Sequence, residues 1–188
     1  LPAAGPEISQ QILNLINSEN IIFHDSCKIK SVEKNKLIFQ NGEANFDLLL
    51  AIPPHVAPKV IYDSELAKEG GFIPINRDCK TQFENVYAVG DVTTLTVIDT
   101  ITVPKAGIFA EGEAITVAQN IMSKIQSKTE SSLFDGKGGC FIESGRDTAS
   151  LIEVNMFSEP KPTTKLTEST TKHLDEKSRH GHSRCTGH

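Results

Sequence analysis

The strongest helical pattern in the chain covers residues 106–125. Apolar residues recur there every three or four positions without an interior proline, which is the spacing of one face of an α-helix. This apolar stripe consists of Ala110, Ala114, Val117, Ala118, Ile121 and Ile125. A shorter stripe of the same period predicts a helix over residues 7–18, built on Ile8, Ile12, Leu15 and Ile16.

Short apolar runs predict strands between and beside these helices. Two runs, 46–52 and 86–89, are almost continuously apolar, which is typical of strands buried on both faces of a parallel sheet. Further short strands are expected at 21–23, 28–32, 36–39 and 72–75, and Asn41-Gly42 predicts a hairpin turn. Strands that alternate with helices predict an α/β fold with a doubly wound sheet.

The C-terminal part of the chain changes character twice. Runs at 138–143 and 149–154 flank a Ser-Gly-Arg-Asp turn and predict a β-hairpin. From residue 159 onward Pro, Thr, Ser, Lys and His dominate, which predicts a disordered polar tail over 159–188. The tail groups could bind a metal weakly or be simply solvated, and they are His173, His180, His182, Cys185 and His188.

Bulk properties exclude several classes of protein. The chain has 188 residues and a formal net charge of −5, which argues against a nucleic-acid partner. No apolar run is long enough for a transmembrane helix, and no signal peptide is visible. Four cysteines without a C-x-x-C pair indicate reduced thiols rather than a disulfide framework. Because the sequence begins with Leu1, a fragment, a processed chain and an incomplete gene are all open interpretations.

The segment 81–91 is the most informative for function. It places Asp91 at the carboxyl end of a predicted buried strand, the position at which ligands bind in open α/β sheets. Gly90 permits a tight turn and a close backbone approach, and the Asp91 carboxylate could accept a hydrogen bond from a cofactor hydroxyl. Taken alone, a strand that ends in Gly-Asp is weak evidence for a ligand site, and a plain turn is the more ordinary interpretation.

A second signal precedes the long helix. Pro104 and Lys105 lead into it, so the backbone N–H groups of Ala106 and Gly107 and the positive end of the helix dipole face whatever lies ahead. With the charge of Lys105, this arrangement suits an electron-rich ring edge. A surface helix that begins at proline, with a solvated lysine, is the alternative.

These two segments resemble a known family. Residues 81–91 resemble the second FAD-contacting motif of the pyridine nucleotide–disulfide oxidoreductase superfamily, in which the Asp binds the ribityl chain. The Pro104-Lys105-Ala106-Gly107 sequence is similar to the sulfide:quinone oxidoreductase and flavocytochrome c sulfide dehydrogenase branch, as are residues 47–55 and 134–143. The resemblance covers about residues 1–160. It implies the C-terminal half of a Rossmann-like flavoprotein with two dinucleotide-binding domains and a C-terminal hairpin region.

The resemblance implies four successive segments along the chain. Residues 1–70 would end a NAD-like domain, 71–127 would end the FAD-binding domain, 128–158 would form a hairpin and interface region, and 159–188 the tail. FAD would be held by Gly90, Asp91, Lys105, Ala106 and Gly107. Electrons would pass from a small reductant or NAD(P)H to a quinone, a cytochrome heme or a disulfide, in a cytoplasmic protein or one peripheral on the inner face of a membrane.

Two departures from the family leave alternatives open. The chain contains no G-x-G-x-x-G loop to seat the FAD pyrophosphate, so a missing N-terminal half or a partner chain is expected to supply it. An incomplete or split-flavoprotein subunit without independent catalysis is the alternative. Valine and threonine, rather than a redox cysteine, follow Asp91.

The remaining catalytic candidates are one cysteine and one histidine. Cys140 is either a buried small residue or a thiol near the flavin. His55 is either a proton relay that faces the cleft or an ordinary loop histidine. Cys27 and Cys79 are expected in exposed loops without a catalytic role.

Overall fold

The computed structural model describes residues 5–129, 131–145 and 147–185, with side chains as far as residue 179. The chain separates into two compact units, one formed by Gln10–His55 and the other by the residues up to Ser9 together with those from Val56 onward. Helix α1 (Gly5–Ser18) crosses this division and confirms the N-terminal helix predicted from sequence. The four-part division implied by the family resemblance stays a prediction.

The unit Gln10–His55 contains a three-stranded antiparallel sheet. Its strands are β1 (Ile29–Glu33), β2 (Lys36–Phe39) and β3 (Gly42–Asn45), with β2 in the centre. Phe39 pairs with Gly42, so the hairpin turn consists of Gln40 and Asn41, one residue earlier than the Asn-Gly signal indicates. The predicted strand at 36–39 is confirmed.

Two predicted strands of this unit are wrong. Residues 46–52 form no strand, and Leu48, Leu50 and Ile52 are between 76% and 90% exposed. Residues 21–23 are also irregular and exposed. The apolar run at 46–52 has the composition of a buried strand, but such a strand needs hydrogen-bonded neighbours at its edges. None of the strands in the described part of the chain pairs with it.

The other unit carries the remaining elements. They are α2 (Lys59–Asp63), β4 (Ile73–Pro74), a 3₁₀ turn (Gly90–Val92), β5 (Thr93–Thr94), β6 (Thr96–Ile98), β7 (Ile101–Thr102), α3 (Gly107–Ile125), β8 (Lys137–Glu143), β9 (Ala149–Asn155), β10 (Thr163–Leu166) and α4 (Thr171–Cys185). The short helix expected between 55 and 70, the long helix and the C-terminal hairpin are confirmed.

The parallel pairing in this unit differs from the prediction. β4 pairs in parallel with β5, which follows the Gly-Asp turn, and β6 and β7 form a small hairpin. Residues 86–89 are not a strand, and only Tyr87 forms an isolated bridge, to Lys80. The predicted buried strand before Gly90 is therefore wrong. Backbone bonds to the preceding turn, such as Ala88 N–H to the Cys79 carbonyl at 3.1 Å, satisfy this segment instead.

The core of this unit lies between α3, β4, β5 and β8. Three aromatic side chains join its layers: Phe134 makes edge-to-face contacts with Phe109 and Phe157, each at 6.3 Å between ring centroids. A Cβ on Gly112 would lie 2.7 Å from the Phe134 ring, so only glycine lets α3 approach this closely. The other buried core members are Ile73, Ile75, Cys79, Leu95, Val103 and Met156.

Helix α3 buries a different face from the apolar stripe seen in the sequence. Its buried residues are Phe109, Glu113, Thr116 and Asn120, spaced three or four apart, whereas Ile121 and Ile125 of the predicted stripe are 42% and 71% exposed. Polar residues can occupy the buried face because each has a hydrogen-bond partner there. The predicted stripe was therefore wrong about orientation, although Val117 does pack against the core.

The expectation of a disordered tail is wrong for its described part. β10 pairs antiparallel with β9, and α4 packs on the sheet, with His173 near the Phe141 ring at 6.4 Å and Lys177 paired with Glu143. A free strand edge offers unpaired backbone groups, so a polar segment can add to it with little apolar burial. The side chains of His180, His182, Cys185 and His188 lie outside the described residues. Within the described residues, no helix combines the length and apolar character required to cross a bilayer.

Candidate functional site

The Gly90-Asp91 motif forms a tight, well-fixed turn. Extended backbone at Val89 leads into the 3₁₀ turn, and Gly90 has φ +80°, a conformation that favours glycine. The Thr93 hydroxyl donates to the Gly90 carbonyl at 2.8 Å, and a Cβ on Gly90 would lie 3.5 Å from Ala110 on α3. The turn therefore sits directly against the helix, and the Asp91 side chain is exposed to solvent.

Lys105 holds the outer side of this turn. Its Nζ donates to the carbonyl oxygens of Asp91 at 2.7 Å and Thr93 at 2.6 Å, and it lies 3.5 Å from the centroid of the Phe72 ring. Burial lowers the pKa of Lys105, while the nearby charges of Asp91 and Glu113 act in the opposite direction. The ammonium group is therefore held by two carbonyl oxygens and one aromatic face, and its positive charge lies beside the turn.

Glu113 holds the inner side of the same turn. Its side chain is only 2% exposed, and its Oε2 accepts a hydrogen bond from the Gly90 N–H at 2.6 Å. Burial raises the pKa of Glu113, although the Gly90 bond and the charge of Lys105 partly oppose that shift. Glu113 and Lys105 thus both bond to the backbone of residues 90–93. Glu113 bonds to Gly90, and Lys105 bonds to Asp91 and Thr93.

The start of α3 completes the arrangement. Ala106 is the N-cap, with extended backbone at φ −154° and ψ 147°, and no side chain caps the helix there. The positive end of the helix therefore meets a small hollow lined by Gly90, Asp91, Lys105 and Ala106, and Gly107 begins the helix beside it. The structure brings all five sequence-predicted cofactor residues into one neighbourhood.

The hollow is small compared with other surface features. Two grooves of about 520 and 560 Å³ lie elsewhere and include none of the predicted cofactor residues. The first contains Lys124 and Asn85, and the second lies beside Tyr62 and Leu66. The residues around Asp91 therefore offer contacts to one edge of a ligand rather than an enclosing pocket.

The two predicted catalytic residues, Cys140 and His55, are not among the residues that line the hollow. Cys140 is an exposed thiol on β8, and regular strand alternation places it on the same face as Gly138. A Cβ on Gly138 would lie 2.6 Å from Phe109 and 3.1 Å from Ile108, so this face of β8 is the one toward the first turn of α3. His55 is exposed and ends the compact unit Gln10–His55.

Cys79 corrects an expectation from the sequence. It is fully buried rather than exposed, and its thiol donates to the Glu113 carbonyl at 3.7 Å. Its backbone has φ +60°, which turns the side chain into the core. Burial raises the pKa of Cys79 to about 12, so the thiolate needed for reactivity is absent near neutral pH. Cys27 is exposed, as expected.

Sequence reasoning missed Glu113 and Phe72. The available signal for Glu113 was its spacing of three and four residues from Thr116 and Phe109, which puts it on their helix face. Phe72 lies 33 positions before Lys105 in the sequence, and no local pattern could have indicated their contact.

Comparison with known proteins decides the family. Residues 1–123 match the pyridine nucleotide-disulphide oxidoreductase family. The chain belongs to this family. Its α/β fold is accordingly part of a Rossmann-like flavoprotein with two dinucleotide-binding domains, with the C-terminal hairpin attached.

Individual relatives point in the same direction. The mitochondrial sulfide:quinone oxidoreductase of Schizosaccharomyces pombe is 30% identical over 142 residues, which are 71% of this chain and 29% of that protein. A coenzyme A disulfide reductase of Staphylococcus epidermidis is 31% identical over 91 residues, which are 47% of this chain and 21% of the relative. The chain thus spans less than a third of the length of these curated relatives.

A solved structure shares the fold. The sulfide:quinone oxidoreductase from Aquifex aeolicus superposes with a TM-score of 0.78 at 20% identity, over 90% of this chain and 42% of that one. The agreement extends across most of the described elements. It supports the assignment of the fold and leaves the chemistry to the residues themselves.

Proposed function

We propose that this chain supplies FAD-contacting residues of a FAD-dependent oxidoreductase similar to the sulfide:quinone oxidoreductases. The observation that carries the proposal is the meeting of the Gly90-Asp91 turn with Lys105 and the start of α3, joined by the 2.7 Å bond from Lys105 to the Asp91 carbonyl. Family membership supports FAD as the cofactor, because proteins of this family typically use it.

The residues present fit such a cofactor. Asp91 offers an exposed carboxylate that can accept a hydrogen bond from a ribityl hydroxyl. The positive end of α3 and the charge of Lys105 can stabilise negative charge on the pyrimidine edge of the ring system. Bound FAD would supply the two-electron redox chemistry, and these side chains would orient it and tune its potential.

The electron route is proposed in broad terms. Electrons enter from a small reductant such as sulfide or from NAD(P)H and leave to a quinone, a cytochrome heme or a disulfide. Cys140 is the candidate thiol on this route, because it is exposed on the face of β8 toward the first turn of α3. His55, which is exposed at the end of the unit Gln10–His55, is proposed as a proton relay.

Flavin titration tests the cofactor assignment. We expect the chain, alone or with the protein that supplies the phosphate loop, to quench FAD fluorescence on binding. Asp91→Ala should weaken binding about tenfold, because a hydrogen bond to a charged group is lost. Lys105→Met should weaken it similarly, whereas Lys34→Met changes an exposed lysine in the other compact unit and serves as the matched control. Equal affinities for all four proteins would contradict the assignment.

A second candidate function is a split-flavoprotein subunit without catalysis of its own. It is favoured by the absence of a G-x-G-x-x-G loop in this sequence and by the exposed apolar run at 46–52. Gel filtration with absorbance detection separates the two candidates. A yellow chain that elutes alone supports independent flavin binding, and a colourless chain that turns yellow only with a partner supports the subunit.

A further inference from the structure

Glu113 is a buried acid that is not among the proposed flavin-binding residues. Its side chain is 2% exposed on the inner face of α3, and burial of a carboxylate is unfavourable unless the group is paired or hydrogen-bonded. The contact that satisfies it is the 2.6 Å bond from the Gly90 N–H. The acid therefore bonds to the backbone next to the residue that is proposed to bind the cofactor.

The geometry around Gly90 makes this contact consequential. Gly90 occupies a left-handed conformation at φ +80° and opens the 3₁₀ turn that contains Asp91. Its N–H belongs to the peptide group that joins it to Val89, so an acceptor there fixes the plane from which the turn departs. Asp91 is the next residue in that turn.

Lys105 bonds to the same turn as Glu113 but to different residues of its backbone. It donates to the Asp91 and Thr93 carbonyls, after the turn, while Glu113 accepts from Gly90, before it. The two side chains influence each other electrostatically without forming a direct ion pair among the contacts described. Each charge is therefore directed at the backbone of the turn rather than at the other charge.

We infer that Glu113 is a positioning residue that orients the Gly90-Asp91 turn for flavin binding through its bond to the Gly90 N–H. The inference rests on the proposed flavin function and extends it to a residue that touches no cofactor. Removal of the acceptor should loosen the turn and misdirect Asp91, even though α3 and the core remain folded.

Three variants separate this role from packing. Glu113→Gln keeps the shape and an acceptor oxygen but removes the charge, and Glu113→Met keeps the length but removes the acceptor. Thr116→Val is the matched control, because Thr116 is buried on the same helix and its hydroxyl bonds only within the helix, to the Gly112 carbonyl. It perturbs the same face of α3 without contacting Gly90.

The first measurement needs no flavin. In the ¹⁵N-labelled full chain, the Gly90 amide proton should resonate downfield and shift as Glu113 titrates. The charged groups around Glu113 that influence this titration are Lys105 and Asp91, while the neighbouring Cys79 thiol stays neutral because its pKa is raised to about 12. In Glu113→Gln the Gly90 amide proton should stay downfield but lose its pH dependence, and in Glu113→Met it should move upfield. In Thr116→Val both its chemical shift and its pH dependence should match the wild type. If the chemical shift of the Gly90 amide proton is the same in the wild type and in all three variants, the inference is wrong.

The second measurement is FAD affinity, with the same variants. Glu113→Met should bind FAD about tenfold or more weakly, Glu113→Gln should lie between it and the wild type, and Thr116→Val should match the wild type. If Glu113→Met matches Thr116→Val, the positioning role is wrong while the flavin function stands. If the wild-type chain binds no FAD with or without a partner, although Gly90 still titrates, the flavin function and the role assigned to Glu113 both fall.

Discussion

The two halves of helix α3 hold their neighbours in different ways. Near its start, buried Glu113 and half-buried Lys105 direct charges at one turn of backbone. Two turns further on, Asn120 is equally buried but neutral, and its amide donates to the Asp78 and Ser132 carbonyls and accepts from the Ser132 N–H. The neutral amide of Asn120 stabilises its neighbouring loops without the cost of desolvating a charge. Burial of the Glu113 carboxylate does carry that cost, so the charged end is less stabilising at the place where a ligand is proposed to bind.

The neutral end should give the largest loss of stability. Asn120→Ala removes four hydrogen bonds and leaves the partly buried carbonyls of Asp78 and Ser132 without their side-chain donor, so we expect the free energy of unfolding to fall by about 3 kcal/mol. Urea denaturation measures the change, and Gln119→Ala, at the exposed neighbouring position, is the control. Similar values for both variants would remove the contrast between the two ends of the helix.

A smaller loss of stability is expected at Gly112, the residue that precedes Glu113 on α3. Gly112→Ala places a Cβ 2.7 Å from the Phe134 ring, and overpacking of this kind should lower the free energy of unfolding by about 2 kcal/mol. Shortening the ring with Phe134→Leu should make room, so the double variant should lose less than the sum of the two single changes. If Gly112→Ala instead stabilises the chain, helix propensity dominates and α3 does not approach Phe134 closely.

The charged end should reveal itself through pH. Because the pKa of Glu113 in the folded chain is raised above the ordinary carboxyl value of 4.5, the folded state binds the proton more tightly than the unfolded state. Its contribution to stability is therefore present at acid pH and is lost as the pH rises through the folded pKa.

Glu113→Gln should abolish that part of the profile. The pKa of Asp78 is lowered beside Lys80 and gives the opposite trend at lower pH, but both proteins share it and it cancels in their difference. Thermal unfolding of the two proteins between about pH 4 and 8 measures this difference. Parallel curves would mean that the Glu113 carboxylate is no more costly than an exposed one. The same substitution is expected to weaken flavin binding, so stability and binding should change in opposite directions.

The smallest effect concerns thiol reactivity. In the native chain, iodoacetamide should modify exposed Cys27 and Cys140 within minutes and leave Cys79 unmodified, because its thiol is buried and its pKa is raised to about 12. Peptide mass mapping after quenching measures the pattern, and unfolding in urea should expose all of these thiols equally. Rapid modification of Cys79 in the folded chain would show that the core behind Glu113 opens readily.

Local pattern alone was sufficient for several elements. The period of apolar residues predicted α1 and α3 within one or two residues of the observed helix ends, and the alternating runs predicted the β8–β9 hairpin. The motifs at 81–91 and 104–107 were also enough to name the five cofactor residues that the structure brings together. These features depend on neighbours a few positions apart, whose spacing the sequence itself records.

Other features depend on contacts across long sequence distances. The pairing of β5 rather than residues 86–89 with β4, the exposure of residues 46–52 and the added strand β10 were decided by which edges were available for hydrogen bonding. The buried face of α3 was decided in the same way, because Glu113 and Asn120 found their partners 23 and 42 positions away. The sequence by itself therefore determined the family, helices α1 and α3 and the residues of the motif. Only the tertiary structure decided which polar groups could be buried, since the partners that satisfy them are distant in the chain.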